Sequence, residues 1–440
     1  MSPSGGRRAA ALILAWLAGG ATISAQEPSA PAGAPETTTE RIVTPEEVRE
    51  ATEPPALAPL RVFVAPYRYV LGGIEHGLIR LETEHQIERL LRWQDWLRTH
   101  HLVAAFGGQG ESAGIGIGGG VTLGSRTSVQ VVGRVSAKQY EELEAVFSTP
   151  PAPVRIELQA SYQWRPEEQF YGLGQDSRQS QHTNFALRQK WVGWHTQVTP
   201  VRRVRIGGEQ KIVWLETEAG RSALFPPTEL LFPNLPGLDA RMTVDSIGPY
   251  FDADLLQGEY RWGAMAHASA SYQRGLGDSR LSYFRYETEL EGRMPVARGR
   301  SALVAQGSAE LTRPQPGSDP VPFFLQPHIG GSSTLRGFSV DRFYGRNLVL
   351  ATFEYRNQIH PNIQSYIFFD EGQIFDDASD LRWLNWHRNY GFGFRLGGRR
   401  GTAMRFEIGK GDEGLTIHIT FGDRTRSPLA GPVRYGTYRR

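Results

Sequence analysis

The sequence predicts an all-β fold: a transmembrane antiparallel β-barrel of about sixteen strands, with a short N-terminal amphipathic helix ahead of it. Three observations carry that reading. The chain opens with an export signal, it holds no apolar run long enough to cross a membrane as a helix, and from about residue 101 its apolar residues recur with period two.

The signal occupies residues 1–25. Arg7 and Arg8 precede an apolar stretch from Ala9 to Gly19, and small residues follow up to Ala25, the order of a secretory leader. A membrane anchor would need about 20 consecutive apolar residues, and this run breaks at Gly19-Gly20. Cleavage is expected near Gln26.

Residues 26–60 are rich in Pro, Ala, Thr and Glu, with Pro28, Pro31, Pro35, Pro45, Pro54, Pro55 and Pro59 among them. They are too poor in bulky apolar side chains to bury a core, which predicts a disordered periplasmic lead. Within residues 61–100, Ile74, Leu78, Leu81, Ile87, Leu90, Leu91 and Leu97 recur mostly at three- and four-residue spacing. That is a helical period with one apolar face. Trp93 and Trp96 suit an interface, and Arg80, Arg89, Arg92 and Arg98 can reach anionic groups, so Ile74 to Thr99 is expected to lie against the barrel mouth or the membrane surface.

The barrel itself is expected over 101–422. In Ser112 to Leu123, Ile115, Ile117 and Val121 share one parity, and fourteen further candidate strands follow a first one near 101–110. They fall at about 126–136, 138–148, 153–164, 182–198, 201–217, 240–252, 258–274, 281–296, 300–313, 346–360, 362–375, 388–397, 402–411 and 415–422. The closing strand is the cleanest: Leu415, Ile417, Ile419 and Phe421 point one way, Thr416, His418 and Thr420 the other. A soluble sandwich would also show this alternation, but the export signal and the lack of disulfides favour a barrel, whose closure leaves no unpaired backbone edge in lipid. Residues 423–440 form a basic C-terminal tail.

Composition narrows the function classes. The chain has 50 glycines, 10 tryptophans, 16 tyrosines and 21 phenylalanines, and its mean hydropathy of −0.38 suits strands that alternate between lipid and a wet lumen. With no cysteine, disulfides, thiolate metal sites and a lipoprotein anchor are excluded. Lys and Arg number 48 against 46 Asp and Glu, so the basic footprint of a nucleic-acid binder is missing. No nucleophile elbow, P-loop or dinucleotide pattern occurs, and His85, His100, His101, His182, His195 and His267 form no ligand-spaced set. Neither an enzyme nor a metal or other cofactor is expected.

Three stretches near the C-terminus form a constellation: IGGSSTLRGF from Ile329 to Phe338, GRNLVLATFEYR from Gly345 to Arg356, and FFDEGQIF from Phe368 to Phe375. Arg336 is a permanently charged planar donor, and a loop carrying it into a partly desolvated lumen needs carboxylates on the wall to receive it. Asp370 and Glu354 are suitable acceptors. Gly337 allows a tight backbone path and Phe338 can pack beside the ion pair.

At these places the chain resembles the BamA/TamA-type superfamily of outer-membrane assembly and translocation barrels, the bacterial surface antigen family. The resemblance implies that a long loop folds into the lumen as a latch with Leu335, Arg336, Gly337 and Phe338 at its tip. Phe368, Asp370 and Gly372 match the aromatic-x-Asp-x-Gly strand pattern of that family, and Glu354 stands where an intervening strand carries an acid. FYGLGQDS, Phe170 to Ser177, is a further family-like stretch, expected to be a loop without a chemical role. Two departures stand out: the span before residue 100 is too short for the family's periplasmic docking domains alongside the lead, and a basic tail follows Phe421.

The resemblance implies a protein of the bacterial outer membrane, in contact with its lipid, that takes part in inserting or translocating outer-membrane proteins. Its partners would be a client or a periplasmic protein, and its oligomeric state is left open. The alternative is a non-catalytic membrane anchor or partner-binding barrel without insertase activity. A passive porin would need an unobstructed lumen, which a latched loop denies it.

Overall fold

The computed structural model describes residues 102–108, 115–124, 127–150, 154–296, 300–360, 363–382, 385–398 and 401–421. The signal, the lead, the expected helix at 74–99 and the tail at 423–440 lie outside the described residues.

Sixteen strands form one antiparallel sheet in chain order. They are β1 (Leu102–Gly108), β2 (Ile115–Leu123), β3 (Ser128–Ser136), β4 (Glu141–Ser148), β5 (Val154–Phe170), β6 (Thr183–Val201), β7 (Val204–Ala219) and β8 (Arg241–Asp254), then β9 (Gly263–Leu276), β10 (Ser282–Val296) and β11 (Ser301–Pro314). A long excursion follows, containing the two-residue strands β12 (His328–Ile329) and β13 (Phe343–Tyr344), which pair with each other outside the large sheet, Tyr344 also bridging to Leu173. β14 (Asn347–His360), β15 (Ile363–Phe375), β16 (His387–Gly398), β17 (Gly401–Gly411) and β18 (Gly414–Phe421) complete the sheet.

The period-two pattern becomes two faces. On β10, Phe284, Tyr286, Leu290 and Met294 are exposed, whereas Tyr283, Arg285, Glu289 and Glu291 between them are buried. β14 and β15 repeat this, with Phe353, Ile367 and Phe369 outward and Glu354, Arg356, Tyr366, Phe368 and Asp370 inward. In water such an apolar outer face would be costly, and it is the face a lipid-embedded sheet needs. On β18, Leu415, Ile417 and Ile419 are all exposed.

The closure expected from the sequence is not completed by hydrogen bonds. β1 and β18 are the two ends of the ladder order, and although they come within 8 Å of each other at places, no ladder joins them. β1 has 7 residues and β18 has 8, against 17 in β5 and 19 in β6, so a ladder between them would be short.

Two strand boundaries differ from expectation by five residues or more. The strand expected at 153–164 runs on to Phe170, past a register shift between Arg165 and Glu168, because a bulge absorbs Pro166, which has no N–H to donate. The strand expected to start at residue 258 starts at Gly263. Residues 255–262 instead form the connection between β8 and β9, held by side-chain contacts described below.

With strands running alternately up and down, the connections 171–182, 220–240, 315–346 and 376–386 share one end of the sheet, here the upper end. Apolar side chains pack under these loops in two clusters. One joins Phe170, Phe185 and Tyr283 to Phe323, Phe324 and Tyr344. The other joins Ile329, Leu335, Phe338 and Phe343 to Leu348, Leu350 and Ile374. Connection 315–346 therefore packs against the inner face of the sheet.

Candidate functional site

The centre of the site is Arg336, fully buried at the tip of connection 315–346. Gly330 and Gly331, at φ of 133° and 90°, turn the chain inward, a backbone path that a Cβ would resist. Thr334 fastens the turn: the Gly330 N–H donates to its hydroxyl at 2.7 Å, and the hydroxyl donates back to the Gly330 carbonyl at 3.0 Å.

The guanidinium meets the wall as a planar fork. Nε and Nη2 donate to the two oxygens of Asp370 on β15, at 2.9 and 2.5 Å. Nη1 donates to Glu354 on β14 at 2.6 Å and to Glu407 on β17 at 3.2 Å. The ring of Phe368 lies 3.6 Å from the guanidinium carbon, covering one face of the fork. Three carboxylates at 1% side-chain exposure or less thus surround one cation. Further groups share the excess negative charge: Asn389 donates to Asp370 at 2.8 Å, the Tyr366 hydroxyl to Glu407 at 2.9 Å, and Arg356 to Glu354 at 2.7 Å. A buried charge that is paired and fully hydrogen-bonded is the arrangement low dielectric permits.

The glycines serve close approach. A Cβ on Gly372 would stand 3.0 Å from Ile329 and 3.4 Å from Leu335, so the bare strand position admits the loop. Gly337 is tighter still, since its Cβ would lie 2.6 Å from the backbone nitrogen of Gly411. Phe338 is buried, edge-on to Phe343 at 5.4 Å. The latch and acceptor residues named from the sequence, Leu335, Arg336, Gly337, Phe338, Glu354, Phe368, Asp370 and Gly372, lie in one region, whereas Leu415, Ile417 and Ile419 of the closing strand face outward.

Sequence reasoning missed several members. Glu407, Asn389 and His418, whose ring lies 2.9 Å from the Arg336 carbonyl, come from β16 to β18, and each takes its place from strand parity. It also missed a second buried cation, Arg342, whose Nε donates at 2.9 Å to both oxygens of Glu413 in the β17–β18 turn. The same guanidinium donates to the Ser177 hydroxyl at 2.8 Å and carbonyl at 2.7 Å. Connection 171–182, read as a loop without a chemical role, therefore helps hold the inward loop. Gln175 adds a 2.7 Å bond to the Asn385 carbonyl and accepts one from the Ile374 N–H at 2.8 Å.

At the lower end, connection 255–262 carries Glu259 toward arginines of three strands. Its carboxylate lies 2.9 Å from Arg356 on β14, 3.5 Å from Arg293 on β10 and 3.8 Å from Arg395 on β16. The Tyr260 hydroxyl accepts from Gln364 on β15 at 2.6 Å. Burial works to raise the Glu259 carboxyl, but these three arginines outweigh it and hold it down at about 2. Among the described residues no group of His, Asp or Glu is arranged to hold a metal.

Sheet, outward apolar face and inward ion-paired loop together define the class: an antiparallel sheet of the outer-membrane barrel type with a loop docked on its inner face. Residues 261–409 match the Omp85 superfamily domain, in agreement with the resemblance read from the sequence and with the outer-membrane setting it implies. Among solved structures, BamA from Haemophilus ducreyi lacking POTRA domains 1-3 is similar in fold, at 14% identity and a TM-score of 0.54, over 73% of this chain and 68% of that one. CdiB from Acinetobacter baumannii has 14% identity and a TM-score of 0.46, over 73% of this chain and 59% of that one. CdiB from Escherichia coli has 13% identity and a TM-score of 0.49, over 73% and 62%. The chain spans less than two thirds of either CdiB structure. No curated protein matches it.

Proposed function

We propose that the chain inserts or translocates client polypeptides at the outer membrane, working at the seam between β1 and β18 of a barrel that closes there only weakly. The observation that carries this reading is the ladder order, which leaves β1 and β18 as neighbouring edges without a hydrogen-bonded ladder between them. A backbone edge facing lipid needs a partner, and an incoming extended segment can supply one by strand addition. The inward loop supports the reading against a passive pore, because Arg336 and the apolar residues around it occupy the inner wall.

The chain has no cysteine, so the test has no background. Paired cysteines are introduced along β1 (residues 103–107) and β18 (residues 416–420), and the variants are reconstituted into liposomes. Oxidised, crosslinked protein should lose insertion of a co-added outer-membrane barrel precursor or passage of a secreted passenger, and reduction should restore it. Undiminished activity in the locked state would overturn the seam reading. A barrel that moves no client in either state would overturn the function and leave an anchor or partner-binding role.

A further inference from the structure

One step below the Arg336 cluster, the closing strands carry a row of polar side chains that the Arg336 and Arg342 ion pairs do not use. Arg395 on β16 and Arg405 on β17 stand directly opposite each other in the ladder, and Thr420 on β18 stands opposite Arg405. Like charges at directly opposed positions repel, so the sheet gains nothing from this pair by itself. Arg405 is only 4% exposed, yet its Nε and Nη1 have no hydrogen-bond partner. The buried Arg395 Nε and Thr420 Oγ1 have none either. The nearest acid along β17, Glu407, is committed through its Oε1 to Arg336 and Tyr366.

Arg405 Nε and Nη1, Arg395 Nε and Thr420 Oγ1 are therefore buried polar atoms at three adjacent positions without a hydrogen-bond partner, although the Arg395 Nη1 donates to Gln364 at 3.0 Å. A buried polar group left unsatisfied is costly, and a pair of opposed guanidinium groups is costlier, so a residue pattern of this kind marks a site rather than a structural support. The chemistry of the occupant can be read from Glu259, whose carboxylate already reaches the same wall and comes within 3.8 Å of Arg395. Planar guanidinium forks match a planar two-oxygen anion.

We propose that Arg395, Arg405 and Thr420 form a carboxylate-binding site on the inner wall of β16 to β18. Arg405 supplies the principal fork, Arg395 the second charge and Thr420 a hydroxyl donor. The carboxylate is either that of a small free acid or that of a polypeptide, as a chain terminus or an acidic side chain. The site does not depend on client insertion, and its test reads binding alone.

The test uses the full chain, folded in detergent, with the thermal unfolding midpoint as readout. Acetate is compared with chloride at equal ionic strength, and a short peptide with a free C-terminal carboxylate is compared with its amidated form. Acetate or the free-acid peptide should raise the midpoint where chloride and the amide do not. A response to the peptide alone names a polypeptide source, and a response to acetate alone names a small acid; either upholds the site. Arg405→Met should raise the midpoint of the unliganded protein, since it removes an unpaired buried cation, and should weaken carboxylate binding roughly tenfold or more. Thr420→Val, nearly isosteric, should weaken binding without loss of the fold. Equal responses to acetate and chloride, or an Arg405→Met protein that binds as the parent does, would overturn the proposal. So would an Arg405→Met protein whose unliganded midpoint falls, because that would show Arg405 to be a structural support.

Discussion

Removing the Arg336 side chain should be among the most damaging single changes in the sheet. Arg336→Ala leaves Asp370, Glu354 and Glu407 facing one another at 1% exposure or less. Each keeps at least one other partner, among them Asn389, Arg356 and Tyr366 respectively, so the loss is partial for each acid. Breaking a buried pair from one side costs about 3–5 kcal/mol, and water entering the lumen would bring the figure toward the lower bound. Asp370→Ala removes both fork bonds but leaves Arg336 with Glu354 and Glu407, so the smaller cost of about 1.5–3 kcal/mol is expected, the range for hydrogen bonds to charged groups. In the double variant neither charge is stranded by the other, and the combined loss should fall short of the sum by about 1.5 kcal/mol or more. Urea unfolding in detergent, followed by the difference in gel mobility between folded and heated protein, measures all four corners of the cycle. Additivity within about 0.5 kcal/mol would refute direct pairing and with it the latch.

The remaining predictions concern close approach, pH and the seam. Gly337→Ala should destabilise the inward loop more than Gly372→Ala, because the first meets backbone atoms that cannot give way and the second meets flexible Ile329 and Leu335 side chains; protease nicking of 315–346 should rank the two, and the opposite order would contradict the packing. Glu259 is held below its ordinary value of 4.5, so its contribution is present above about 4.5 and is lost as pH falls toward 2. Connection 255–262 should therefore loosen in that window and Glu259→Gln should remove the pH dependence, as read by a fluorophore attached at 257; unchanged titration in the variant would assign it elsewhere. Hydrogen exchange should be faster in β1 amides than in β18 amides, and the reverse would misplace the weak side of the seam.

How much of this was legible depended on whether the signal was local. Strand parity gave nearly every element within a few residues, because each strand carries its own two-faced pattern, as β10 does from Ser282 to Val296. The Leu335–Phe338 tip and its acceptors on β14 and β15 were legible through family resemblance. Glu407 and Asn389 were not, because parity gives the face they share and not the register that sets them beside Arg336. Arg342 and Glu413 lie 71 residues apart and meet by the same long-range route. The start of β9 was misread because Glu259 and Tyr260 sit in an apolar-looking stretch whose fate is decided by arginines on distant strands. Hydrogen-bonded closure was misjudged for a related reason: alternation reports which way a strand faces, and says nothing of whether its outer edge is paired.

The distribution of these contacts makes the two sides of the seam unequal. Arg336 draws its acceptors from β14, β15 and β17, and its own carbonyl is met by His418 of β18. Arg342 grips the β17–β18 turn through Glu413, while Glu259 bridges β10, β14 and β16 from below. The last five strands of the sheet are thus bound from within at the upper end, the middle and the lower end, in addition to their ladders. β1 has its ladder with β2, whose partners opposite it are mostly glycine, from Gly116 to Gly120. Glycine contributes no side chain to a cross-strand pair and weakens a strand interior. If the seam parts, the glycine-rich pairing of β2 with β1 makes the β1 side the one to move, with β18 remaining the fixed edge against which an incoming strand would be aligned. The latch would then act on translocation or insertion by keeping that edge rigid, which is why its loss should be felt at β18 as well as at the loop itself.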